Sequence, residues 1–185
     1  MARNGNSKSF SRWTYVLTLA LVSFILVCVL YFRWLYPYGH RVGCMPNLMG
    51  ALSYYAREHN GWYPRDGKTP LQCLQVFYPD YLGDELAGLT GNRQAVSQRL
   101  RNGQPIDESI SSWVYNPGLR LDDNPRLAII WERTAGVTVN GHREEGHAVG
   151  FVNGEVKQIE AVQWTSFLQQ QRELSSETFA KRRQP

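Results

Sequence analysis

A chain of 185 residues, 43% hydrophobic and 12% aromatic, has room for one modest domain beyond any targeting segment, because domains usually run to roughly 100–150 residues. Its formal charge of +4 does not describe a nucleic-acid-binding face: residues 1–35 hold Arg3, Lys8, Arg12 and Arg33 with no acid, leaving 16 of the 20 basic residues against 16 acidic ones. The excess flanks an apolar segment, where it meets anionic lipid more naturally than a phosphate backbone.

Residues 14–32 (TYVLTLALVSFILVCVLYF) carry no charge, and 19 residues at about 1.5 Å rise give roughly 28 Å, close to the hydrocarbon thickness of a bilayer. Trp13 and Tyr15 at one end and Tyr31, Trp34, Tyr36 and Tyr38 at the other make an aromatic belt, with Arg12 and Arg33 at the water boundaries. A cleaved signal peptide would have a shorter apolar core and a small-residue cleavage site, whereas this segment exits through Leu30-Tyr31-Phe32-Arg33-Trp34. The expectation is a basic cytoplasmic tail over 1–12, a transmembrane helix over 13–35 and a single-pass protein of the cell membrane. Basic residues favour a cytoplasmic N-terminus and an extracytoplasmic C-terminal domain. In that oxidising space Cys44 and Cys73 are candidate disulfide partners, with two independent buried thiols as the alternative.

Pro37, Gly39, Gly43 and Pro46 point to a linker over 36–45. The domain is then expected over 46–174. Residues 46–59 place Leu48, Leu52, Tyr55, Ala56 and His59 on one helical stripe, with Asn60-Gly61 as the stop. Trp62-Tyr63-Pro64 is extended, since the residue before proline avoids the α region. Shorter helices are predicted from Thr69 or Pro70 to Tyr78 and from Gln94 to Arg101.

Beyond Asp107 the pattern becomes strand-like over 112–116, 126–132, 137–140, 148–152 and 155–159. Asn153-Gly154 predicts a two-residue type I′ hairpin. A last helix is expected over 161–174 with Val162, Phe167 and Leu168 facing the core, followed by a frayed polar tail over 175–185. The fold class is therefore α+β, a helix packed on an antiparallel sheet behind the membrane helix.

Chemistry is sparse in this pattern. His142-Arg143-Glu144-Glu145-Gly146-His147 is dense in potential ligands, yet its spacing does not put two histidines and a glutamate on one helix face, and glycines bracket it as a solvated turn would be bracketed. There is no G-x-S-x-G elbow, no P-loop and no G-x-G-x-x-G. The adjacent acid pairs, such as Asp122-Asp123, read as turns. The expectation is no catalytic site, no metal and no cofactor, hence no enzyme. Trp62, Tyr63, Trp113 and Tyr115 are either core aromatics or, in a membrane-tethered ligand- or glycan-binding module, a recognition surface. Trp62, Tyr63, His142, His147, Asn153 and Gly154 are the candidate interaction or loop residues.

Two stretches carry a family resemblance. Cys44-Met45-Pro46-Asn47-Leu48, Tyr54-Tyr55-Ala56 and Asn60-Gly61-Trp62-Tyr63-Pro64 are similar to a C-x-x-N-L, Y-A, N-G-x-x-P run. Trp113-Val114-Tyr115-Asn116-Pro117-Gly118, Ala128-Ile129-Ile130-Trp131-Glu132, then His142 and Gly146-His147-Ala148-Val149-Gly150-Phe151-Val152-Asn153-Gly154-Glu155-Val156 are similar to the stretch that ends in H-G-G-G-x-N-V-L-F-x-D-G-H-V. Both belong to bacterial pilin-like proteins of the type II secretion and type IV pilus class, and the chain resembles the G-type pseudopilins among them. It departs from them in having no Gly followed by F-T-L-I-E for a prepilin peptidase, no Glu in the apolar run, and Asn153 and Glu155 where the family has Asp and His. The resemblance implies a pilin-like domain and a structural or protein-interaction role in an envelope secretion or surface assembly. The implied partners are the lipid bilayer and other envelope proteins or further copies of itself, with no nucleic acid.

Overall fold

The computed structural model describes residues 12–36, 44–136 and 145–182. Helix α1 runs from Arg12 to Leu35, and its 24 residues span about 36 Å. It is the one helix among the described residues long and apolar enough to cross a membrane: Trp13–Leu35 has a mean hydropathy of 2.6 and none of it is buried. Leu17, Leu21, Phe24, Val27 and Leu30 are all exposed, so the helix is apolar all round, as lipid contact requires and a core-facing stripe does not.

Helix α2, Cys44–Glu58, begins two residues before the predicted start, which moves the linker boundary from residue 45 to 43. Pro46 is tolerated because it lies in the first turn, where its missing N–H has no intrahelical partner. The earlier start adds Met45 to a buried stripe of Leu48, Met49, Leu52 and Ala56. The stop is as expected: Asn60 and Gly61 have φ of 55° and 82°, and Gly61 N–H donates to Ala56 O at 2.8 Å, a Schellman closure. His59 does not reach the core. It is exposed, stacked 3.7 Å from the Tyr55 ring with Nδ1 2.8 Å from Tyr55 O, so its ring stays on its own helix at the C-terminal turn.

Helix α3, Pro70–Cys73, is capped by Thr69, whose Oγ1 accepts from Gln72 N–H, and it tightens into a 3-10 turn over Leu74–Phe77. Helix α4, Arg93–Arg101, is capped in the same way by Asn92, whose Oδ1 accepts from Ala95 N–H at 3.0 Å.

Strands β1 (Trp113–Tyr115), β2 (Ala128–Glu132), β3 (His147–Phe151) and β4 (Val156–Ile159) form one antiparallel meander in the order β1-β2-β3-β4. The strand predicted over 137–140 lies outside the described residues. Alternation along β3 sends Ala148 and Gly150 toward α2, and His147, Val149 and Phe151 to the opposite face. β2 carries an irregularity between Ala128 and Ile130. That bulge lets both Ile129 and Ile130 enter the main core while Ala128 and Trp131 face the other way.

Helix α5, Trp164–Arg182, covers that second face with Phe167, Leu168 and Trp164 against Ala128, Val149 and Phe151. Two expectations need correction here. Val162 is 84% exposed, because residues 161–163 form a 3-10 turn that precedes α5. The helix also does not end at Leu174: Leu174 is buried, Phe179 packs against the main core, and the polar segment over 175–182 is helical. The resulting layers, a helix on each face of a four-stranded antiparallel sheet behind an apolar helix, make the fold α+β.

Candidate interaction surface

At the C-terminal end of α2, Trp62 bridges to Arg120 and is half-buried. Three guanidinium groups surround its ring, with Arg65 at 3.9 Å, Arg182 at 4.9 Å and Arg120 at 5.0 Å from the centroid. Each such contact is worth roughly 0.5–1 kcal/mol at an exposed site. Arg120 pairs with Asp122 at 3.0 Å, and Arg182 donates to Gly118 O at 2.6 Å and pairs with Asp123. These bonds tie down the helix end at Arg182, whose guanidinium closes on an indole and a carboxylate far away in sequence. Arg65 makes no ion pair among the described residues and stands exposed on the ring.

Tyr63 is fully buried and its hydroxyl donates to Val152 O at 3.1 Å. Burial, ahead of any charge nearby, pushes its pKa up to about 12. Trp113 and Tyr115 are buried too, their polar tips donating to Glu85 O at 2.9 Å and Pro64 O at 2.7 Å. The four aromatics therefore share no exposed groove: three are core and the fourth is sheathed in arginine.

The Asn153-Gly154 hairpin is present but its turn is not type I′. Gly154 has φ 83° while Asn153 is not in the left-handed region; Gly154 N–H donates to Phe151 O at 2.9 Å and Phe151 N–H to Glu155 O at 2.9 Å. The loop thus has three residues, a type I turn closed by a left-handed glycine. The longer loop follows from Val152, which is buried and donates its N–H to Leu127 O, so it is held by the core and cannot pair with β4. Asn153 Oδ1 accepts from Glu155 N–H at 3.0 Å. Lys157 first, then Asn153, holds the Glu155 carboxyl below its ordinary value.

His142 lies outside the described residues. His147 is buried at the start of β3, stacked 3.7 Å from Trp164 with Nδ1 2.8 Å from Glu132 O. Cys73 carries a buried free thiol donating to Thr69 O at 3.5 Å, and the Cys44 side chain is outside the described set. No group of three or more His, Cys, Asp or Glu residues with metal-site geometry occurs among the described residues.

Two further features have no counterpart in the local sequence pattern. Glu132 is fully buried: Oε1 accepts from Thr90 N–H at 3.0 Å and the Thr90 hydroxyl at 2.5 Å, and Oε2 from Leu89 N–H at 3.0 Å. A fully buried carboxylate that accepts three hydrogen bonds pins the loop that supplies them. The other is an open groove of about 630 Å³ between the β1–β2 half of the sheet and α5. Val114 and Trp131 form its floor, Trp164 and Leu168 one wall, and Arg133 and Arg172 the rim. An acid at the end of a strand and a tryptophan at period two are visible in the sequence, but neither signals what it faces.

No protein-family model, no curated protein and no solved structure matches this chain.

Proposed function

We propose that this chain is a single-pass membrane protein whose pilin-like domain faces the extracytoplasmic side and serves as a structural or protein-interaction element of an envelope secretion or surface assembly. The observation that carries the reading is α1: an apolar helix with no buried residue that ends at Leu35, separated by eight residues from the sheet-packed helix α2, which begins at Cys44. The nine Cα–Cα steps from Leu35 to Cys44 reach at most about 32 Å, so the domain is held close to the bilayer. Burial of Tyr63, Trp113 and Tyr115 weighs against a glycan platform built on these aromatics.

Protease added to intact spheroplasts should digest the domain and leave α1 with the membrane after alkaline carbonate extraction. Cross-linking in native membranes should trap the chain in complexes larger than a monomer. Protection of the domain in spheroplasts but not in inverted vesicles would reverse the orientation, and a protein that stays monomeric under cross-linking would end the assembly reading.

A further inference from the structure

The groove beside α5 has a definite chemistry. Its floor exists because α5 lies over Ala128, Val149 and Phe151 and stops short of β1, leaving Val114 and Trp131 half-covered. Gln171 at its base is oriented by the backbone, its Oε1 accepting from Ala128 N–H at 2.8 Å and its Nε2 donating to Arg126 O at 3.0 Å, so it is a neutral group held in place at the bottom of the groove. None of the lining residues is acidic, while two are arginines. Arg172 is exposed and makes no ion pair among the described residues; Arg133 pairs with Glu108 at 2.8 Å on the surface, a contact weak enough to be exchanged.

We infer that this groove binds an extended segment of a partner protein in which apolar side chains alternate with carboxylates. This rests on the interaction role proposed above. The α5 wall from Trp164 to Ser176 is about 18 Å long, which matches about five residues of extended chain and exceeds a compact metabolite. Period-two alternation places apolar side chains on Val114, Trp131 and Leu168 and acids toward the arginine rim. A planar bilayer does not enter a cleft walled by a helix.

The test uses the full chain in phosphatidylcholine nanodiscs and a short fluorescein-labelled peptide alternating leucine and glutamate, read by fluorescence anisotropy. Saturable binding is expected, weakened about tenfold or more by Arg172→Glu and by Leu168→Asp. A leucine–lysine peptide should bind poorly to the parent and regain affinity on the Arg172→Glu protein. That recovery separates a lost contact from a lost fold. No saturation up to about 1 mM peptide, equal binding of both peptides, or the same signal on empty discs overturns the inference. Dimers that Arg172→Glu dissolves, together with no peptide binding, would put a second copy in the groove and overturn it as well. Failure of cross-linking in native membranes with peptide binding intact would count against the assembly role alone.

Discussion

The Thr90 hydroxyl donates to Glu132 Oε1 at 2.5 Å, joining the end of β2 to a loop 42 residues earlier in the chain. The same carboxylate takes the backbone N–H groups of Leu89 and Thr90, so one buried side chain satisfies three donors. Glu132→Ala is expected to lower stability by about 2–4 kcal/mol, because the loop at Leu89-Thr90 loses its buried acceptor and, among the described residues, Thr90 keeps only the Ser112 and Thr134 hydroxyls as partners. Glu132→Gln should cost less, since one acceptor oxygen is kept. Urea midpoints of the full chain in detergent measure both, and an alanine variant as stable as the parent would show that water reaches the loop.

Met49 of α2 lies directly over Gly150 of β3, where an added Cβ would also come within 3.2 Å of Ile130 Cγ2. Gly150→Ala should therefore cost about 1–3 kcal/mol through overpacking. Combining it with Met49→Ala should recover part of that loss, because the shortened side chain makes room for the methyl. A double-mutant cycle reads the coupling, and strict additivity of the two changes would mean that helix and sheet do not meet there.

Tyr63 and Tyr115 titrate at about 10 when unfolded, and burial raises both in the folded protein, Tyr63 to about 12. A raised folded-state pKa contributes stability that is complete below pH 10 and fades as pH climbs toward the folded value. Denaturant midpoints should thus fall between pH 10 and about 12. Tyr63→Phe, although it gives up the bond to Val152 O, should flatten part of that decline. A slope unchanged in the variant would assign the alkaline loss to other groups.

Arg182 ties the end of α5 to Gly118, Asp123 and Trp62. Arg182→Ala is expected to cost about 1–2 kcal/mol and to raise amide hydrogen exchange over the last turn of α5 first. Trp62→Ala should do the same at smaller amplitude. If exchange at Phe179 and Lys181 is unaltered by either change, the helix end is held by Phe179 packing instead.

Much of this architecture was legible in the chain. The apolar run of α1, the period of α2 with its Asn60-Gly61 stop, and four of the strands stand where local pattern puts them, because periodicity and turn chemistry act over a few residues. Two of the misplacements share one cause. Asn153 avoids the left-handed region because Val152 is captured by Leu127 and Tyr63, and α5 outruns its apolar pattern because Arg182 finds Asp123. Both depend on partners distant in sequence, which no local window contains.

The sequence by itself determined an apolar membrane-length helix, an α+β domain and the absence of a recognisable catalytic motif, since these follow from composition and short-range spacing. Only the tertiary structure decided which aromatics are core and which face outward, and that Glu132 latches a loop. It alone revealed an arginine-rimmed groove left open beside α5, because these depend on how far a helix extends across a sheet and which distant side chains meet.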